Sequence, residues 1–134
     1  MREYNLFVIK NDYLNAYKNN PEKLYEMLKK LYTMNKNLNY GITFYEQLCN
    51  YITIDTLRYY LNTKYNLANY NKYYIDKTFI ELKPSRIILK SKYNIPNIIK
   101  VFNCYNRNIF VCDFKNNDYF WLNSFSRCEV LQYI

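Results

Sequence analysis

The sequence predicts an α+β domain, with a mainly antiparallel sheet of about four to five strands and helices packed on it. Two observations predict this class. Strand-like and helix-like segments follow one another in the order strand, helix, helix, an ambiguous segment, helix, hairpin, helix, hairpin. The chain also has 134 residues, of which 50% are hydrophobic and 20% aromatic, so it can bury a sizeable core. We expect one domain that spans residues 1–134.

The N-terminal segment predicts a buried strand and a short helix. Residues 4–9, YNLFVI, form a compact apolar run that is bounded by polar residues, which is typical of a strand inside a sheet. Asn11 or Asp12 can then cap a helix over residues 13–18. The strand should fix the N-terminal segment in the sheet.

A second helix is predicted to begin at Pro21, because Asn20 offers a cap and proline is favoured in the first turn. Its apolar residues recur at i, i+3, i+4 and i+7, which is the spacing of one buried face: Leu24, Met27, Leu28 and Leu31. Residues 33–40 are polar and aperiodic, and they are followed by Gly41, the only glycine. We interpret them as a loop.

The middle of the chain contains one ambiguous segment and one clear helix. Residues 42–50, ITFYEQLCN, fit either a strand or a helical turn. Thr53 and Asp55 then offer caps for a helix with an apolar face. That face consists of Ile54, Leu57, Leu61 and Tyr65, and the pattern ends in residues 66–71.

Two further elements are predicted before the C-terminal hairpin. Residues 74–82 and 86–90 read as a hairpin joined by the turn residues Lys83, Pro84 and Ser85. Asn94 with Pro96 then suits the start of a last helix. Its apolar face would consist of Ile95, Ile98, Ile99 and Phe102.

Residues 109–123, IFVCDFKNNDYFWLN, predict a hairpin that forms the centre of the fold. Two apolar runs flank residues 115–118, and a four-residue polar break favours a hairpin on a type I turn. This register would pair Phe114 with Tyr119, Cys112 with Trp121, Val111 with Leu122 and Asp113 with Phe120. Both faces would then be apolar, so we expect this hairpin inside the sheet and not at its edge.

Composition excludes several function classes. The chain has no histidine and a single glycine, so a histidine-based nucleophile pair, a usual zinc site and a glycine-rich phosphate loop are all ruled out. Carboxylate pairs such as Glu46 with Asp55 or Asp113 with Asp118 have no spacing that marks an acid/base couple. We expect no enzyme activity, no metal, no cofactor and no small-molecule substrate.

The apolar segments and the cysteine spacing predict a cytoplasmic protein without a disulfide framework. No apolar stretch approaches the length of a membrane span, and residues 1–13 lack the features of a signal peptide. Cys49, Cys104, Cys112 and Cys128 show no CxxC spacing, so we interpret them as buried or half-buried thiols.

Charge and tyrosine content permit two kinds of binding surface. The net charge of +8 and the 18 tyrosines are compatible with a nucleic-acid or acidic protein partner, but Asn, Ile, Lys and Tyr are also favoured by A/T-rich codons. One candidate surface is Tyr13 with Tyr17, beside Lys10 and Asn15. The other is aromatic and basic interleaving in residues 58–65 and 72–77. From the pattern alone, core packing and solvated helix faces explain both.

Two stretches, REYNLFVIKNDYLNAY and FVCDFKNNDYFWLN, together resemble the sporulation inhibitor of replication (SirA) family of Firmicutes. The similarity lies in an aromatic-x-Asn-x-Tyr segment, here Tyr13, Asn15 and Tyr17, and in a closing DF-x4-Y-x-WLN hairpin from Asp113 to Asn123. Residues 47–53, QLCNYIT, are a third match. The resemblance extends over nearly the whole chain except residues 66–83.

The resemblance implies a non-enzymatic inhibitor of chromosome replication that binds the N-terminal domain of the initiator DnaA. The partner-binding residues that it implies are Tyr13 and Tyr17, with Lys10, Asn11, Asn15 and Gln47 as weaker neighbours. Two alternatives stay open: a small basic nucleic-acid-binding module, or an inhibitor from a phage or mobile element that acts on another host machine, such as a CRISPR nuclease.

Overall fold

The computed structural model describes residues 1–33, 39–65 and 71–123, without the side chains of residues 39 and 40. Its strands are β1 (Arg2–Ile9), β2 (Cys49–Asn50), β3 (Lys72–Ile75), β4 (Thr78–Leu82), β5 (Ile87–Ser91), β6 (Ile109–Asp113) and β7 (Asp118–Trp121). Its α-helices are α1 (Asn11–Tyr17), α2 (Pro21–Thr33), α3 (Asn39–Leu48) and α4 (Ile54–Tyr65), and a 3-10 helix spans Asn97–Cys104.

One antiparallel sheet contains all of these strands, in the order β3, β4, β5, β1, β6, β7. β1 is central, and β2 pairs with its C-terminal end opposite Val8 and Ile9. The expected α+β class with an antiparallel sheet is confirmed. In the described part of the chain the sheet has seven strands, which exceeds the predicted four to five.

Helices cover both faces of the sheet, and each face has its own hydrophobic cluster. Tyr4, Leu6 and Val8 of β1 point into the first cluster, with α4 and the 3-10 helix. Phe7 and Ile9 point into the second cluster, with α2 and the end of α3. The apolar run of residues 4–9 is buried throughout because both of its faces are covered, as the sequence predicts.

The predicted helices of the N-terminal half are present, with two corrections. α2 begins at Pro21, and Leu24 and Leu28 of its apolar stripe are buried. Asn11 and Asp12 do not cap α1, because the helix already includes them and Lys10 occupies the cap position without a side-chain hydrogen bond. Gly41 lies inside α3 and not in a loop, so the ambiguous segment 42–50 is mostly helical. Residues 34–38 of the predicted loop lie outside the described residues.

The hairpin of β6 and β7 forms, but the predicted register is wrong. Phe110 pairs with Trp121, Val111 with Phe120, and Cys112 with Tyr119. The turn begins one residue earlier than predicted because the Asp113 carboxylate accepts hydrogen bonds from the backbone N–H and the side-chain Nδ2 of Asn116, at 3.3 and 2.8 Å. β6 is internal, whereas β7 is the last strand of the sheet among the described residues, so the expectation of a fully internal hairpin holds for β6 only.

The segment 74–82 contains two strands, where the sequence predicts one. Asp76 and Lys77 both have positive φ, 50° and 56°, and they turn the chain between β3 and β4. This mirror-image turn is favoured by Asn-Gly or Asp-Gly, so Asp-Lys gives little signal. The predicted hairpin of β4 and β5 is confirmed. The last predicted helix is also present, as a 3-10 helix with Pro96 at its cap.

Candidate functional site

The predicted partner-binding residues lie around the junction that joins β1 to α1. The Lys10 backbone N–H donates to the Leu48 carbonyl at 3.0 Å, and Ile9 pairs with Cys49. The end of α3 is therefore held directly beside the start of α1. Gln47 is exposed and directly precedes Leu48, the residue whose carbonyl accepts this hydrogen bond, although 37 positions separate Lys10 from Gln47 in sequence.

Tyr13 and Tyr17 form a stacked pair on α1. Their ring centroids are 6.2 Å apart and the ring planes differ by 18°. Both side chains are half-buried against the second hydrophobic cluster, and the Tyr17 hydroxyl lies 3.9 Å from the Met27 sulfur. No residue of α1 is fully buried. The rings are thus held in place by packing while part of their surface faces solvent.

Asn15 lies on a different side of α1 from the tyrosines. At 3.6 residues per turn, a two-residue step rotates about 200° around the helix. Asn15 is exposed, and Asn11 is one turn before it on the same side. A partner that contacts Asn15 and the tyrosine rings together must therefore surround α1 instead of lying flat on one side.

Beside α1 lies an asparagine-rich recess that the sequence analysis missed. It has a volume of about 610 Å³ and is lined by Asn11, Asn50 and residues 103–108. The Asn108 side chain hydrogen bonds to Asn11, and the Asn103 Oδ1 atom is buried without a partner in the structure. The sequence signal for this recess is the run NCYNRN at residues 103–108, but A/T-rich codons explain a cluster of asparagines equally well.

The two basic aromatic segments are only partly available for binding. Tyr59 of α4 is 76% exposed and Tyr74 of β3 is 54% exposed. Tyr73, in contrast, is 5% exposed and packs into the first cluster. Of the two neighbouring rings Tyr73 and Tyr74, the segment 72–77 therefore exposes that of Tyr74, because neighbouring strand residues point to opposite faces.

Among the described residues no group of ligands is placed to hold a metal, and two of the cysteine thiols are buried. No cluster of three or more Cys, Asp or Glu side chains occurs among residues 1–33, 39–65 and 71–123. Burial raises the pKa of the Cys49 thiol to about 12 and raises the pKa of Cys112 as well. Cys104 is exposed, so the prediction of a buried or half-buried thiol is wrong there, and Cys128 lies outside the described residues.

In the described parts of the chain, none of the helices has the length and apolar character that a bilayer crossing requires. Comparison with protein-family models and with curated proteins gives no match. The resemblance to the replication-inhibitor family stays a prediction that rests on the quoted motifs.

Proposed function

We propose that the protein is a non-enzymatic inhibitor of chromosome replication initiation, which binds the N-terminal domain of DnaA through the surface formed by α1 and the end of α3. It acts in the cytoplasm, during sporulation if the source organism sporulates. The observation that carries this proposal is the stacked, half-buried pair Tyr13 and Tyr17 on α1. These are the positions to which the resemblance assigns partner binding.

The geometry supports protein recognition because the tyrosine rings are already ordered. Packing against the second cluster fixes Tyr13 and Tyr17 before any partner arrives. A preorganised aromatic pair loses little side-chain entropy on binding, and each ring combines a large apolar area with a polar hydroxyl. Inhibition then needs no bond to be made or broken: a rigid domain covers a surface of DnaA that other proteins need.

The test is calorimetric titration of the protein with the isolated N-terminal domain of its own organism's DnaA. We expect saturable one-to-one binding, and a loss on the order of 2 kcal/mol, about 30-fold in affinity, for Tyr13→Ala or Tyr17→Ala. Because both rings are half-buried, the alanine variants should also lose thermal stability. Tyr13→Phe removes the hydroxyl but keeps the ring and its packing, so it tests the contact with the partner without disturbing the fold.

The matched control is Tyr59→Ala, which removes an exposed tyrosine from α4 on the opposite face of the sheet. It should leave the titration unchanged. Absence of binding heat for the unaltered protein, with a negative pull-down, would show that DnaA is not the target. Equal weakening by Tyr59→Ala would place the interface elsewhere.

A further inference from the structure

Among the described residues, helices cover the second face of the sheet over only part of its width. Helices α1, α2 and α3 pack on β1, β6 and β7, through the residues of the second cluster. On β3 and β4 the same face exposes a ring pair: Tyr74 is 54% exposed, Phe79 is 51% exposed, and their centroids are 4.6 Å apart. Large aromatic side chains on an open sheet surface are unusual unless something binds them.

Strand pairing places this ring pair in one lateral row with charged residues. Tyr74 is opposite Phe79, Phe79 is opposite Lys90, and Lys90 is opposite Glu3. Neighbouring strands are about 4.8 Å apart, so the row spans about 14 Å. Lys90 is 55% exposed and forms an ion pair with Glu3, with 3.6 Å between Nζ and Oε1, so a phosphate can reach the ammonium group in competition with the Glu3 carboxylate.

The row leads into a groove of about 460 Å³ with a second aromatic pair and two more lysines. Tyr32 of α2 stacks on Phe114, with centroids 4.5 Å apart and planes 23° apart, and Tyr32 is 42% exposed. Lys29 and Lys115 line the same groove. Lys29 donates to the neutral Asn117 side chain at 2.8 Å, and neither lysine pairs with a carboxylate in the described part of the chain.

We propose that this surface binds single-stranded nucleic acid, with Phe79 and Tyr74 as stacking positions and Lys29, Lys90 and Lys115 as phosphate contacts. We call it the open-face surface: Tyr32, Tyr74, Phe79, Lys29, Lys90 and Lys115. Tyr32 lies between Phe114 and the Arg86 guanidinium, which is 5.6 Å from the Tyr32 ring centroid, and it lines the groove. Exposed rings interleaved with lysines on an antiparallel sheet suit a chain of bases and phosphates, because every base has a π face. An acidic peptide is the competing partner, but the adjacent, half-exposed rings of Tyr74 and Phe79 suit stacked bases better than the carboxylate side chains of such a peptide.

The open-face surface is separate from the proposed DnaA-binding surface. Glu3 lies near the start of β1, whereas α1 follows its last residue, Ile9. Six residues of extended strand separate the two ends by about 20 Å. Variants of one surface should therefore leave the other unaffected, and the failure of one proposal does not decide the other.

The experiment is fluorescence anisotropy of the whole protein with a labelled oligothymidylate of about 12 nucleotides, over a salt series from about 50 to 200 mM. We expect saturable binding. The logarithm of the association constant should fall linearly with the logarithm of the salt concentration, with a slope of about −2, because each of the three lysines contributes about 0.7. A duplex of the same length should bind more weakly, since its bases cannot stack on the rings.

Two variants separate stacking from charge. Phe79→Leu keeps an apolar side chain but removes the π face, and it should weaken binding at least about 5-fold with an unchanged salt slope. Lys90→Gln should weaken binding and reduce the slope by about 0.7, whereas Lys90→Arg should restore it. Circular dichroism and the melting temperature confirm that each variant folds.

The matched controls lie on α4 across the sheet: Tyr59→Leu also replaces an exposed ring by leucine, and Lys64→Gln removes one lysine charge. They should leave binding unchanged, and so should Tyr13→Ala. The proposal is overturned by absence of saturable binding at low salt, by equal weakening in the α4 controls, or by equal affinity for duplex. It is also overturned if an acidic Glu–Tyr copolymer displaces the oligonucleotide at a lower concentration than unlabelled oligothymidylate does, which would identify an acidic protein partner instead.

Discussion

Arg2 and Asp113 illustrate how single residues define the hairpin of β6 and β7. The Arg2 Nε donates to Asp113 at 2.8 Å, and a terminal nitrogen of Arg2 donates to Asp118 at 3.1 Å. Asp113 and Asp118 are cross-strand partners, so the single positive charge of Arg2 bridges two carboxylates and offsets their mutual repulsion. This carboxylate pair is structural.

Asp113→Asn should destabilise the protein by about 2 kcal/mol at neutral pH, because Asp113 is 1% exposed and accepts charge-assisted hydrogen bonds. Burial acts to raise the pKa of Asp113, but hydrogen bonds from Asn116 and Arg2 outweigh it and lower the pKa below the ordinary value of 3.8. A lowered folded-state pKa contributes stability that is fully present above about pH 5 and is lost as pH falls through the folded-state pKa.

The measurement is denaturant unfolding of both proteins between about pH 2 and 7. The difference in stability between wild type and Asp113→Asn should shrink as the pH falls below about 4. Asp118→Asn is the control: its side chain is 48% exposed, so we expect a loss below about 1 kcal/mol. A difference that stays constant down to the lowest pH would contradict the assigned role of Asp113.

At the scale of elements, turn chemistry explains what the sequence could and could not predict. The start of α2 was predictable to the residue, because Asn20 offers a cap and Pro21 is favoured in the first turn, whereas its last residue, Thr33, was assigned to the following loop. The turn of Asp76 and Lys77 was not, because neither residue is a strong signal for positive φ. The predicted hairpin register was wrong for a related reason. The Asp113 side chain fixes the start of the turn by accepting a hydrogen bond from Asn116, and a pattern of apolar residues does not reveal such a bond.

Lys77→Gly should raise the free energy of unfolding by about 1 kcal/mol, because glycine tolerates a φ of 56° without the steric penalty of a Cβ atom. Lys90→Gly, in the interior of β5, should lower it by about 0.5–1 kcal/mol because glycine weakens a strand. Thermal or denaturant unfolding measures both. The same substitution thus has opposite signs at the turn and in the strand, and a destabilising Lys77→Gly would contradict the turn geometry.

At the scale of the whole molecule, the two clusters share one sheet, so neither should unfold alone. Cys49 and Cys112 lie in the second cluster and are 1% and 0% exposed. In a Cys104→Ser, Cys128→Ser variant, we expect iodoacetamide to label these two thiols only at the rate of global unfolding. Mass spectrometry during a denaturant series should show both thiols react together, whereas labelling of Cys49 well before Cys112 would indicate that α3 and β2 open independently.

The residues of the proposed site can be named from the sequence, but their arrangement in space cannot. The motif with Tyr13, Asn15 and Tyr17 is local, so the sequence contains it directly. The placement of Gln47 near the end of β1 depends on β2 pairing with β1, and a two-residue strand has no detectable pattern. The open-face surface depends in the same way on the registers of four strands, so composition could suggest basic and aromatic content but not one row of residues.

The central position of β1 has a consequence for how the protein is made. β1 is synthesised before β2, β5 and β6, the strands that pair with it, and the last of these begins at Ile109. Contacts between residues so far apart in sequence form slowly, because the entropy cost of closing the loop comes before the contacts can stabilise the fold. Most of the chain must therefore leave the ribosome before the sheet can close, and until then YNLFVI stays an unpaired apolar strand that invites chaperone binding.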